Sequence, residues 1–194
     1  MKKKILLVTA MVICLAITAT GTLAYFTSED HAHNVITSGS VNIELVEKTE
    51  SEDGTLVDFP DEGVKGIMPG SDASKIVSVK NTGENEAWIR VRVEAKLTAA
   101  DGSALPLDIE NVGPVMDFTV GENWHMDFDG CIYYAKPVAP GESTEILFDT
   151  VHFAPEMGNE YQNCTANIII SAQAVQTANN GDTVMEAAGW PDGE

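Results

Sequence analysis

The segment Ala87 to Thr98, A-W-I-R-V-R-V-E-A-K-L-T, constrains this chain more than any other. Ile89, Val91, Val93, Ala95 and Leu97 alternate along it with Trp88, Arg90, Arg92, Glu94 and Lys96. Successive side chains of a strand point to opposite faces, so a period of two describes a strand with one face in a core and one toward water. A helix would scatter the same residues around its circumference. Val41, Ile43 and Leu45 repeat the pattern, with Asn42 and Glu44 outward. Ile76, Val77 and Val79 mark another strand, ended by Asn81-Thr82-Gly83. Further strands are expected at Cys131 to Lys136, Thr144 to Phe148 and Thr165 to Val175. In the last, the run Ile168-Ile169-Ile170 predicts cover on both faces.

Turn chemistry separates these segments. Met68-Pro69-Gly70-Ser71, Asp101-Gly102, Asp129-Gly130 and Ala139-Pro140-Gly141-Glu142 supply fixed or positive φ between apolar runs. Pro106 to Pro114 and Glu156 to Asn163 are expected to be loops or short helices. Many short strands punctuated by Gly and Pro predict an all-β fold, a two-sheet antiparallel sandwich of jelly-roll-like wiring.

The amino terminus has a different character. Lys2-Lys3-Lys4 precede an apolar run from Ile5 to Ala19, and Thr22-Leu23-Ala24 places small residues before a cleavage point between Ala24 and Tyr25. These are the parts of a signal peptide. A retained anchor is the alternative, but the run falls short of the about 20 apolar residues of a membrane span. The expected organisation is therefore a signal peptide at 1–24, an arm at 25–37, a sandwich domain at 38–178 and a polar tail at 179–194. The tail reads as loosely ordered, with Trp190 able to dock back onto the sandwich. The mature form is expected to be exported and not membrane-spanning.

Charge narrows the partners. The chain has 194 residues and a formal charge of −19; loss of Lys2, Lys3 and Lys4 with the leader leaves 8 basic against 30 acidic residues, or −22. Like charge repels the phosphate backbone, which excludes nucleic acid as a partner. Two cysteines remain after the leader, Cys131 and Cys164. In an oxidising compartment they are able to form one disulfide, and two free buried thiols are the alternative.

The arm offers a route to assembly. Tyr25, Phe26, Val35 and Ile36 stand among polar residues ahead of a flexible Ser38-Gly39-Ser40. Such a segment can add a strand to an open sheet edge of a second subunit, making main-chain hydrogen bonds in trans. Because donor and acceptor surfaces differ, the contact is open-ended and propagates into a filament. Pairing in cis, or fraying, is the simpler alternative.

Catalytic signals are sparse. A zincin needs HExxH, and none of His31, His33, His125 and His152 stands in that motif. His31-Ala32-His33 would project two imidazoles to one side of a strand, which makes His31 and His33 the candidate ligands for adventitious Zn²⁺ or Cu²⁺. No G-x-S-x-G elbow occurs. Ser51-Glu52-Asp53-Gly54 and Asp127-Phe128-Asp129-Gly130 resemble calcium-loop fragments without the bidentate Glu, and read as acidic turns with at most weak divalent cation binding. Trp88, Trp124, Tyr133 and Tyr134 are either core residues or an aromatic surface for a glycan or matrix protein.

Several blocks, in order, carry a resemblance. Gly21-Thr22-Leu23-Ala24-Tyr25-Phe26-Thr27 is followed by Asn34-Val35-Ile36-Thr37-Ser38-Gly39 leading into Val41-Asn42-Ile43-Glu44-Leu45. Downstream come Pro69-Gly70, Val77 to Gly83, Asp129-Gly130-Cys131-Ile132-Tyr133-Tyr134, Pro140-Gly141-Glu142-Ser143-Thr144 and Ala172-Gln173-Ala174-Val175-Gln176. The set resembles the camelysin/TasA family, matrix proteins of Gram-positive bacteria processed by the signal peptidase SipW. The resemblance implies a secreted, noncatalytic jelly-roll protein without a cofactor. It would form or decorate biofilm fibres in the extracellular matrix or at the cell surface, with further copies, other matrix proteins and SipW as partners. The camelysin name also carries a metallo-endopeptidase suggestion, and a cell-surface adhesion module is a third reading.

Overall fold

The computed structural model describes residues 27–31, 34–36, 41–51, 53–60 and 68–191. Its strands are β1 (Thr27–His31), β2 (Asn34–Ile36), β3 (Ile43–Glu50), β4 (Leu56–Asp58), β5 (Asp72–Asn81), β6 (Ala87–Thr98) and β7 (Ala104–Leu105). They continue with β8 (Asp108–Ile109), β9 (Gly113–Pro114), β10 (Met116–Phe118), β11 (Trp124–Met126), β12 (Cys131–Tyr134), β13 (Phe148–Phe153) and β14 (Thr165–Gln176). One sheet has the order β11-β12-β6-β14-β1-β2, with β7 beside the end of β6. The second has the order β10-β13-β5-β3-β4. Every pairing within them is antiparallel. The expected all-β sandwich is the architecture observed.

The inward positions of both sheets build one core. Ile89, Val91 and Leu97 of β6, Ile132 of β12 and Ile170, Ala172 and Ala174 of β14 pack with Ile43 of β3, Val77 and Val79 of β5 and Phe148 and Val151 of β13. Burial of these apolar side chains is what holds the sheets together, since removing apolar surface from water is the dominant favourable term in folding. Trp124 and Tyr134, with ring centroids 4.9 Å apart, close one end.

Three expectations are corrected, and one alternative left open is found. The strand placed at Thr144 to Phe148 begins only at Phe148. Ahead of it Thr144 and Leu147 donate their N–H groups to Val79 and Val77, and a bulge between Phe148 and Thr150 shifts the alternation. The arm follows the cis alternative in this structure: β1 pairs with β2 and with β14 in the large sheet. Ile169 is exposed, so the triple-Ile run is not covered on both faces; cover falls further along β14, at Gln173 and Val175. The tail, finally, is not loose but packed as far as Pro191; Trp190 docks on the sandwich as expected, and the tail supplies that cover.

The two cysteines lie on opposite faces of the large sheet, both free and buried. Cys131 belongs to an outer cluster with Trp88, Tyr133, Val175 and Val184, whereas Cys164 belongs to the inter-sheet core. Cys131 aligns through Arg92 with Ser171, and Cys164 precedes the other end of β14. That separation is about 20 Å at a strand's rise per residue, far beyond the roughly 7 Å between Cα atoms that a disulfide spans. The bonded alternative is not the one observed.

Candidate functional site

The free edge of β14 is the candidate site. On one side, all twelve of its residues pair with β6, from Thr165↔Thr98 to Gln176↔Ala87. On the other side, β1 pairs only with Ser171 to Val175. Among the described residues, Thr165 to Ile170 therefore has no strand neighbour on that side. Strand edges present rows of backbone donors and acceptors, which makes an unpaired one a template for a further strand. β-branched residues at Ile168, Ile169 and Ile170 suit this backbone to the extended conformation. Ala166 and Ile168 pack on the core, while Ile169 faces out and is about half exposed (48%).

The expected donor residues distribute as follows. Val35 and Ile36 lie in β2, opposite Asp30 and Glu29. His31 ends β1, opposite Ser171. Ala24, Tyr25, Phe26 and His33 lie outside the described residues. The register aligns Ser28 with Ala174 and Asp30 with Ala172, two core positions of β14. The sequence of β1, Thr-Ser-Glu-Asp-His, lacks the apolar alternation of a strand laid on a core, which makes it a weak occupant of the edge.

Next to this edge, the outer face of the large sheet is half covered. Residues 177–191 form a strap whose Val184, Ala187 and Trp190 pack on Trp88, Tyr133, Cys131 and Val175. Asn180 fastens the strap: its Nδ2 donates to the carbonyls of Gln176 and Ala188, each at 3.0 Å, and its Oδ1 accepts from the Ala188 N–H at 2.8 Å. The turn after it requires glycine, since Gly181 has φ +80° and a Cβ there would come 2.8 Å from the Glu186 Cβ.

Arg90 locks the far end of the strap. Its Nε donates to Gln173 Oε1 at 2.7 Å, its Nη1 to the Tyr133 hydroxyl at 3.2 Å and its Nη2 to the Pro191 carbonyl at 3.3 Å. The Tyr133 hydroxyl in turn donates to Asp129 at 2.7 Å, and the Cys131 N–H donates to the same carboxylate at 2.8 Å. Burial opposes the charge of Asp129, yet these hydrogen bonds and nearby Arg90 hold its carboxyl below the usual value. Burial, reinforced by the bond to Asp129, pushes the Tyr133 hydroxyl up.

The acidic turns are thus occupied with donors of their own loops, backbone N–H groups and the Ser51 hydroxyl. Asp53 accepts from Ser51 and Thr55, as Asp129 does from Cys131. Among the described residues, no group of three or more His, Cys, Asp or Glu is placed to hold a metal ion. Nor is any described helix long and apolar enough to cross a membrane. Trp88, Trp124, Tyr133 and Tyr134 are all buried, so they do not form the aromatic surface considered from sequence. The extent of the strap and the half-open β14 edge are what sequence reasoning missed; the signal used for the strap was Trp190, while Val184 and Ala187 gave none by their spacing. In comparison with known proteins, no family model, curated protein or solved structure gives a significant match to this chain.

Proposed function

We propose that this chain is a secreted, noncatalytic subunit of an extracellular matrix, which builds or decorates fibres by passing an N-terminal strand to a neighbouring copy. The observation that carries this reading is the half-paired edge of β14, filled by β1 at Ser171 to Val175 and, among the described residues, open at Thr165 to Ile170. A strand from another copy adds main-chain bonds there at about 0.5–1.5 kcal/mol net each, and the same copy's β1 is a polar occupant that can be exchanged. Cis pairing of β1 and trans donation are then two states of one edge, related as in domain swapping. Cleavage after Ala24 frees the donor, and the jelly-roll wiring and the SipW-type processing implied by the family resemblance belong to the same reading. With −22 charges per processed subunit, assembly is opposed by repulsion that protons, salt or divalent cations relieve.

The test compares a chain starting at Tyr25 with one starting at Ser38, both imaged by electron microscopy after incubation from pH 8 down toward the sequence pI of about 4.3. Fibres from the longer chain alone, forming faster at lower pH, are the expected result. Fibres from both chains would move assembly to another surface.

A further inference from the structure

We propose that Asn180-Gly181 is a self-modifying latch, at which loss of the Asn180 side-chain amide as ammonia releases the carboxyl-terminal strap from the large sheet. This latch belongs to the strap and works whether or not strands are exchanged between copies. The pair is the only asparagine followed by glycine in the chain. Glycine has no side chain to shield its backbone nitrogen from the preceding amide carbon. The φ of +80° and the nearby Glu186 Cβ keep glycine at this position. Among the described residues the Gly181 N–H donates no hydrogen bond, so the attacking nitrogen is unengaged.

The chemistry needs water and no other reagent. The Gly181 nitrogen bonds to Asn180 Cγ as the Cγ–Nδ2 bond breaks, and Nδ2 leaves as ammonia with the proton of the attacking N–H. Water then opens the cyclic imide at either carbonyl, giving aspartate or isoaspartate with no change of oxidation state. In the docked strap this reaction is held off. Asn180 is buried, its Nδ2 donates to the Gln176 and Ala188 carbonyls, and its Oδ1 accepts from the Ala188 N–H. All three bonds must break before the side chain can rotate onto Gly181.

Opening starts from the far end of the strap. The Pro191 carbonyl accepts from Arg90 Nη2 and Gln173 Nε2 at 3.3 and 3.4 Å, longer than the 3.0 and 2.8 Å bonds between Asn180 and Ala188. Closure also leaves the buried Trp88 Nε1 without an acceptor among the described residues, a donor that water satisfies once the strap lifts. A terminal segment fastened in this way opens locally while the core stays folded. Once the amide is lost, the strap cannot close as before. A carboxylate has no N–H for the Gln176 and Ala188 carbonyls, and its charge joins Asp182 and Glu186 on the same turn. The cluster of Trp88, Cys131, Tyr133 and Val175 is then uncovered.

Ageing the chain that starts at Tyr25 in mildly alkaline buffer, followed by peptide mapping with mass spectrometry, tests this. Asn180 should convert about thirtyfold faster in Trp190→Ala than in the native chain, because that strap has lost its cation–π and aromatic anchor and opens more often. The other asparagines should keep their rates. The converted chain, separated by its extra negative charge, should alkylate at Cys131 under the strap, while Cys164 in the inter-sheet core stays protected. Asn180→Asp should give the same thiol pattern without ageing. Conversion no faster in Trp190→Ala overturns the proposal, as does a converted or Asn180→Asp chain whose Cys131 is still protected. Reaction of both thiols would mean that the whole domain is lost rather than the strap released, and overturns it as well.

Discussion

The Arg90 guanidinium carbon lies 4.7 Å from the ring centroid of Trp190, a hundred positions later in the sequence, and its Nη2 hydrogen-bonds the carbonyl of the next residue, Pro191. Tyr133 meets the same indole edge-on at 5.9 Å. A cation held between two aromatic rings and a carboxylate ties the carboxyl-terminal strap to the middle of the large sheet. Trp190→Ala should lower stability by about 2 kcal/mol, from lost cation–π, aromatic and apolar contact. The strands beneath should persist. Urea unfolding with unchanged far-ultraviolet circular dichroism would show this; unaltered stability would mean that the strap contributes nothing.

The network under Arg90 is sensitive to acid. In the folded chain the Asp129 carboxyl titrates below its ordinary 3.8, because the Tyr133 hydroxyl, the Cys131 N–H and Arg90 favour its charged form over the cost of burial. Between the folded value and 3.8 the unfolded chain binds more protons, so the stabilisation is full above 3.8 and disappears as pH falls through the folded value. The side chain is 41% exposed, so solvent screening keeps the contribution under about 1 kcal/mol. Thermal melts of the native chain and Asp129→Asn should differ near neutral pH and converge in strong acid. A constant gap would place the effect elsewhere.

How far these features were legible in the sequence depends on whether their cause is local. β6 was readable residue by residue, because strict alternation from Ala87 to Thr98 directly encodes two faces, and β5 and β14 followed from similar runs. β13 was misplaced because a bulge at Asp149 breaks the period of two. Trp88 was correctly assigned to the outer face of β6, yet it is buried, since what covers it arrives from residues 177–191. There Val184, Ala187 and Trp190 are too irregularly spaced to announce an element. The antiparallel pairing of β1 with β2 joins a wholly polar segment to one of three residues, which no apolar alternation announces. The open half of the β14 edge depends on what does not pair there, which no local pattern encodes.

Lys75 is another inward-facing surprise. It shares a strand face with Val77 and Val79, is buried, hydrogen-bonds Glu47 and lies 3.6 Å from the Phe59 ring centroid. Burial pushes its amine below the ordinary 10.5, with Glu47 opposing. Taking a charge out of water costs several kcal/mol that its partner only partly offsets, so the pair contributes less than its removal by halves would suggest. Lys75→Met alone should destabilise by about 3 kcal/mol by stranding the Glu47 carboxylate, whereas Lys75→Met with Glu47→Leu should fall within about 1 kcal/mol of the native chain. A double variant as unstable as the single one would refute this, and a chemical-denaturation cycle measures it.

The cysteines make the last prediction. Burial pushes both thiols above their ordinary value, and at Cys131 it outweighs the nearby arginines. Since the thiolate is the reactive form, both should resist alkylation in the native chain and react at once in denaturant. Because they lie on opposite faces of the large sheet, oxidising conditions should leave two free thiols per processed chain, which starts at Tyr25 and lacks Cys14. Reductant should not shift the melting temperature. A bond across this loop would contribute about 2–4 kcal/mol, so a melting temperature that drops with reductant would mean that the sheet registers around Arg92 and Ser171 are not those of the folded protein.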